Sequence, residues 1–466
     1  CTARGRTVAE AAGGGAAAPA GGATAGAAGD AGAPGSPGLN WAGTHRYAAD
    51  RLAEPASIAE AQRLVASAPR VRALGSRHSF NDIADPGEGG LLLSLAALSS
   101  DETSIDIDPD ARTVTVGSAT RYAALATHLE QHGWALENMG SLPHISVGGA
   151  TATGTHGSGE RNRNLSAAVV GVELIDGSGS LVTLTESGDP ERFPGAVIAL
   201  GALGVVTRLT LRIVPSYRMR QDVYLDLPWS SVESDFDAVM GGAYSVSLFT
   251  DWRESGPHQV WVKSVVSPSD APLAPAIDPG LGYFGAVSAG EKVMSPADEG
   301  HDNTTVQGGV EGPWCERLPH FRIDATPSNG DEIQTEYFVD RSVAVSAIAA
   351  VRALGERIRP HLLVSEIRTV AGDPQWLSPT RGVDSVALHF TWKNQPDSVR
   401  QLLPELEQAL APFEARPHWG KWFAGDAAAI APLYPSLPRF AALADTLDPE
   451  RRFRNPYLER VLVLVL

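Results

Sequence analysis

The sequence predicts an α+β protein built from at least two domains, and three observations predict it. Over residues 40–217 short strands are mixed with a few helices, and Asp-led turns join strands into hairpins. Residues 266–315 are rich in Pro, Gly, Ser and Asp, the composition of long irregular surface loops. Beyond them, helical runs enclose two strands of alternating pattern. A chain of 466 residues is also long for a single core.

Residues 1–38 are dominated from Ala9 onward by Ala, Gly and Pro, which cannot bury apolar surface and should form a flexible tether. Ser57 with Glu60 fits a capping box opening a helix over Ser57–Ala66. Val71–Leu74 and Leu91–Leu95 read as strands. Ile105–Ile107 and Thr113–Val116 flank a hairpin turn, as do Val169–Ile175 and Leu181–Leu184. Tyr122–Gln131 is an amphipathic helix ended by Gly133. From Val205 to Ile213, apolar residues and Thr207 alternate with Arg208, Thr210 and Arg212, which marks a strand. Helices are expected at Val343–Ile358 and Ser398–Pro412, with strands at Leu362–Val370 and Ser385–Trp392. The run Val461–Leu466 reads as a buried strand or the end of a packed tail.

Composition narrows the function classes. Net charge is −17, so phosphate binding by clustered Lys and Arg, and with it nucleic acid, is not expected. With only Cys1 and Cys315, neither a disulfide framework nor a cysteine-rich metal site is available, and no metal site is expected. No apolar run reaches transmembrane length. Cys1 followed by a flexible stretch resembles a processed bacterial lipoprotein, with a lipid on the Cys1 thiol; the alternative is a sequence that simply begins at Cys. The lipoprotein reading places the chain outside the cytoplasm, about 35 Å or less from a membrane surface. A monomer is the expected state.

Two small-residue loops could carry chemistry. Gly75-Ser-Arg-His-Ser79 follows a strand, and successive N–H groups in such a turn form an anion-binding nest. In Gly148–Gly159 few side chains exceed Thr in size, so the backbone can approach a ligand closely. Two such loops suit a pyrophosphate. A literal G-x-G-x-x-G at Gly280–Gly285 is rejected, because no strand precedes it. Glu366 and Arg368 lie two apart on one strand and share a face; His389 and Thr391 repeat the pattern. Taken alone, the Glu/Arg pair reads as a structural salt bridge. Lys421 follows Trp419-Gly420, another close-approach turn.

LGSRHSFN (Leu74–Asn81), the stretch Asn138–Gly159 and GALGVVTRLTL (Gly201–Leu211) resemble the FAD-binding domain of vanillyl-alcohol-oxidase-type, or PCMH-type, flavoproteins. Ser365–Pro379, Val386–Trp392 and RPHWGK (Arg416–Lys421) add a resemblance to the aldonolactone and alditol oxidase branch, nearest to bacterial alditol (xylitol) oxidases. The resemblance implies a PCMH-type FAD-binding domain of two subdomains over 39–217. It implies a substrate-binding cap with a large antiparallel sheet over 218–430, and a segment 431–466 packing back on the FAD domain.

It further implies FAD, bonded covalently through His78. Ala73, Leu74, Gly75, Ser76, Arg77 and Ser79 would line the cofactor on one side. Ser146, Gly149, Thr153, Gly154, Thr155 and His156 would line it on another, and Val206 would lie near the adenosine end. Arg77 departs from the Gly common at this position, and Arg beside a pyrophosphate would supply a charge-assisted partner. Gly140 and Ser141 would lie beside the isoalloxazine, with a small residue at 140 leaving O2 a path. Ser141, Glu366, Arg368, Thr391 and Lys421 would bind substrate, and Lys421, Arg368, His389 and Glu366 would carry catalysis, with His389 or Lys421 as base. The expected reaction oxidises the terminal alcohol of a small polyol to the aldose and reduces O2 to H2O2. Open alternatives are an aldonolactone oxidase, a polyol dehydrogenase using another acceptor, and a non-catalytic binding protein that keeps the fold.

Overall fold

The computed structural model describes residues 36–98, 105–266, 282–297, 303–325 and 331–462. Cys1 and nearly all of the expected tether, Gly280 and Leu281 of the rejected glycine motif, and residues 463–466 lie outside them.

Two small sheets build the N-terminal half. Val71–Ala73 and Arg51–Ala53 flank Leu91–Leu93 in a parallel three-stranded sheet. A five-stranded antiparallel sheet runs Ile105–Asp108, Thr113–Gly117, Val205–Arg212, Val169–Ile175, Leu181–Thr185. Both hairpin turns form as the sequence requires: Asp108 Oδ1 accepts from the N–H groups of Asp110 and Ala111, and Asp176 Oδ1 from those of Ser178 and Ser180. Val205, Thr207, Leu209, Leu211 and Ile213 are all buried, as the alternation predicts. The first helix spans Ile58–Ser67. Ser57 Oγ accepts from Glu60 N at 3.2 Å, while Glu60 Oε2 reaches back to Ala56 N at 2.9 Å.

The second half is dominated by a ten-stranded, mostly antiparallel sheet. Its centre runs Arg218–Leu225, Gln259–Val266, Ser245–Thr250, Leu362–Ala371, Ser385–Lys393, Glu332–Asp340. Helices Trp229–Gly241, Ala344–Arg352 and Pro396–Leu410 cover one face. They bury Phe236, Ile348 and Leu406 against sheet residues such as Val262, Ile367, Leu388 and Phe390. The opposite face points inward and mixes polar side chains with an apolar cluster of Val223, Phe249, Trp261 and Val364. One strand of the N-terminal half, Gly159–Arg163, joins this sheet in parallel beside Leu362–Ala371. The C-terminal helices Leu437–Leu447 and Pro456–Leu462 pack into the core of the N-terminal half, and Phe453 seats between Val65, Leu93 and Val205.

Of the two readings of the run Val461–Leu466, the strand is corrected: its described residues, Val461 and Leu462, are buried in a helix packed into the core. The described part of the loop-rich region is not all surface: Trp314 and Cys315 lie in the core, and Val287–Ser288 and Gly312–Pro313 extend the sheet edge. Gly282–Gly285 forms a tight turn closed by the Tyr283–Ala286 bridge, with no dinucleotide loop.

Candidate active site

A cavity of about 470 Å³ lies between the two halves. The five-stranded sheet lends it apolar residues, among them Val172, Leu174, Val206 and Leu209. The inward face of the ten-stranded sheet lends it Gln334, Glu336, Glu366, Arg368, His389 and Thr391.

The turn Gly75–Ser79 and the stretch after Ile145 form one wall. A Cβ on Gly75 would come within 2.6 Å of Ser146 Oγ, and one on Gly149 within 2.8 Å of the same atom. Ser146 Oγ is itself buried with no hydrogen-bond partner among the described residues. Glycine is therefore required where the wall closes on a hydroxyl that awaits a partner, and a dinucleotide phosphate fits such a cradle. Elsewhere the small residues serve the protein itself. A Cβ on Gly148 would strike Ser118 O at 2.9 Å, and Val147–Thr153 is a short helix rather than an open loop.

Arg77 adopts φ +63°, a left-handed conformation, which explains why Gly suits this position. Its guanidinium does not turn to the phosphate cradle. It donates to Pro37 O and, at 3.1 Å, to Leu39 O, and lies 5.4 Å from the centre of the Tyr47 ring. His78 lines the cavity and stacks on Trp41 at 4.8 Å. Burial, with Arg121 and His144 adding positive charge, pushes its pKa down to about 3. Its imidazole is therefore neutral near pH 7, and no described residue hydrogen-bonds its ring nitrogens.

The charged cluster is built by strand register. Glu366 pairs with His389, and His389 with Glu336, so three adjacent strands aim these side chains at one place. Glu336 is the hub. Its carboxylate lies 2.5 Å from Arg368 Nη2, 2.7 Å from Lys421 Nζ, and 3.2 Å from His156 Nε2. Burial alone would raise its pKa, but Lys421, His156 and Arg368 outweigh burial and hold it well below the carboxylate range. Lys421 also donates to His389 Nδ1 at 2.7 Å, and His389 Nε2 bonds Thr391 Oγ1 at 3.0 Å. Burial and the Lys421 charge push His389 down to about 4. Burial also lowers Lys421. Arg368 Nη1 reaches Ser141 Oγ at 3.3 Å, and Arg368 Nε has no hydrogen-bond partner among the described residues. The turn bearing Lys421 is fixed to the His78 loop: Asn81 Nδ2 donates to Trp419 O and Lys421 O, both at 2.8 Å, and Phe80 N donates to Gly420 O.

The cavity thus gathers Ala73–Ser79, Gly140, Ser141, Ser146, Gly149, Thr153, Thr155, His156, Val206, Glu366, Arg368, His389, Thr391 and Lys421. Gly154 is the exception. It caps the helix Val147–Thr153 at φ +70°, packed against Ile198 and Pro379, and does not line the cavity. The sequence reading missed Glu336, His320 and His418, which line the cavity too. Glu336 lies on a strand where Ile333, Thr335, Tyr337 and Val339 alternate with Glu332, Gln334, Glu336 and Asp340, a pattern broken by Phe338, and that was its one visible signal.

A phosphate cradle, a neutral histidine and a buried charged ceiling define a flavoprotein oxidoreductase. Residues 49–185 match the family model "FAD binding domain", and residues 327–461 match "D-arabinono-1,4-lactone oxidase". The chain is 46% identical over 430 residues to alditol oxidase of a Streptomyces species, covering 91% of this chain and 98% of that protein. It is 30% identical over 443 residues to L-gulono-1,4-lactone dehydrogenase of Mycobacterium tuberculosis, covering 91% and 98%. In fold it resembles cholesterol oxidase from B. sterolicum, with a TM-score of 0.71 at 17% identity over 91% of this chain and 96% of the other. The chain belongs to the family of FAD-dependent oxidoreductases that includes alditol oxidase and the aldonolactone oxidoreductases.

Proposed function

We propose that the protein oxidises the terminal alcohol of an alditol to the aldose and reduces O2 to H2O2, with FAD linked through His78. The observation that carries the reading is the buried row Glu366–His389–Glu336 with Arg368, Lys421, Thr391 and Ser141 around it. It offers several donors and acceptors in one cavity, which matches a neutral substrate with a hydroxyl on every carbon. The likeness to alditol oxidase at 46% identity supports the same choice over an aldonolactone. The neutral His78, with free ring nitrogens, supports the linkage.

FAD, held by Gly75–Ser79, Ser146 and Gly149, would supply the hydride acceptor and the route for electrons to O2. Glu366, Thr391 and Ser141 hold substrate hydroxyls and select the carbon that reacts. Arg368 supplies positive charge near the reacting oxygen. Lys421 and His389 share a hydrogen bond and burial lowers the pKa of both, so this pair is placed to take up the proton leaving the substrate hydroxyl.

The test is the spectrum of the purified protein before and after acid precipitation, then anaerobic addition of xylitol or sorbitol. Yellow precipitate and bleaching of the native sample by polyol are expected. Bleaching only by an aldonolactone moves the assignment to lactone oxidation. Lys421→Met should slow flavin reduction by about 10²-fold or more, and near-normal reduction refutes its role.

A further inference from the structure

The large sheet carries a lysine that the reaction above does not use. Lys263 lies within the strand Gln259–Val266, is 1% exposed, and has no carboxylate in ion-pair contact among the described residues. A buried ammonium must satisfy three N–H donors. Lys263 Nζ lies 2.6 Å from Leu318 O, 2.9 Å from Pro319 O and 3.1 Å from His320 Nδ1. The two carbonyls can only accept. The third contact sets the imidazole: with Nδ1 accepting, the ring proton sits on Nε2. Nε2 lies 2.7 Å from Glu366 Oε1 and donates to it. The rings of Trp261 and Phe249 stand edge-on to His320 at 5.1 and 5.6 Å and fix its plane. Glu366 Oε2 is 3.6 Å from Arg368 Nε.

We propose that Lys263 is a positioning residue: by donating to His320 Nδ1 it makes the imidazole an Nε2–H donor and keeps Glu366 an acceptor-only carboxylate toward substrate. This rests on reading Glu366 as a group that binds a substrate hydroxyl. Without Lys263, no described donor faces Nδ1, and that nitrogen can take up a proton while Nε2–H stays on the Glu366 carboxylate. The imidazolium so formed would draw the Glu366 charge toward itself, away from the Arg368 and His389 side of the cavity. Glu366 would then be a weaker acceptor toward substrate, so affinity would come to depend on pH.

The test uses full-length, flavin-loaded protein with xylitol or sorbitol, from about pH 5 to about pH 9. Burial pushes Lys263 down to about 7, so for wild type a flat KM is expected on the acid side of that value, where the ammonium keeps all three donors. Lys263→Met should raise KM about tenfold, the size of one charge-assisted hydrogen bond, with a smaller change in kcat and a KM that now varies with pH. Lys263→Gln, which keeps an N–H donor, should recover most of the loss. A Lys263→Met enzyme whose KM is unchanged and flat with pH overturns the proposal. Should that variant not accumulate as yellow protein, the histidine tautomer of wild type decides by ¹⁵N NMR: Nε2–H is expected for His320, and Nδ1–H overturns the assignment. Glu366→Gln is measured in parallel. An unchanged KM there sinks the substrate-binding reading itself, whereas a raised KM beside an unaffected Lys263→Met sinks only the role of Lys263.

Discussion

Glu336 holds the negative charge on which Arg368 and Lys421 both rest. Glu336→Gln keeps the volume and removes the charge, leaving two buried cations without their shared partner. A loss of about 3–5 kcal/mol is expected, read as a lower melting temperature together with slow reduction by polyol; an unchanged melting temperature contradicts the hub. Glu336 and Glu366 both titrate below their unfolded value of 4.5. Their contribution to stability is therefore complete above that value and is lost as pH falls below it. Melting temperatures should decline from about pH 5 downward in wild type, and less steeply in Glu336→Gln. Gly140 gives a cleaner probe of O2 access. A methyl there would meet Thr155 Cγ2 at 3.6 Å and His156 O at 3.7 Å, ordinary contact distances, so Gly140→Ala should fold normally. If the small residue provides the oxygen path, reduction by polyol stays near wild type while reoxidation slows by about tenfold. Equal reoxidation rates refute it. Spacing placed Glu366 with Arg368 and His389 with Thr391 on common strand faces, and a turn marked Lys421, but a site role for them was legible only through the family resemblance. Glu336 was not, because a glutamate on the polar side of an alternating strand looks the same whether that side meets water or a cavity.

At the scale of elements, the placement of Lys421 depends on a turn fixed to a loop. Asn81 spans from the His78 loop to the carbonyls of Trp419 and Lys421. Asn81→Ala should retain flavin, lose about 1–2 kcal/mol of stability, and lower kcat because Lys421 is less firmly held. A variant with lowered stability and unchanged kcat would show that the strut serves folding alone. The elements most legible in sequence were those with clean periodicity, such as Tyr122–Gln131 and Val205–Arg212. Arg218–Leu225, Ser245–Thr250 and Gln259–Val266 were not singled out. Ser245–Thr250 is buried on both faces and carries Ser and Thr toward the interior, so no polar–apolar alternation marks it.

For the whole molecule, the fold class and the two small-residue loops could be read from residues, but the closing of one half on the other could not. The parallel addition of Gly159–Arg163 to the large sheet pairs residues some 200 positions apart, which no local pattern encodes.

Arg77 gives this arrangement a mechanical consequence. Its backbone belongs to the loop that presents His78, while its side chain grips the carbonyls of Pro37 and Leu39, and Trp41 rests on the His78 ring. Residues 37–41 are therefore fastened to the turn that carries His78. Loosening either side of this joint would be felt first by that imidazole, so the two segments share a single hinge pin.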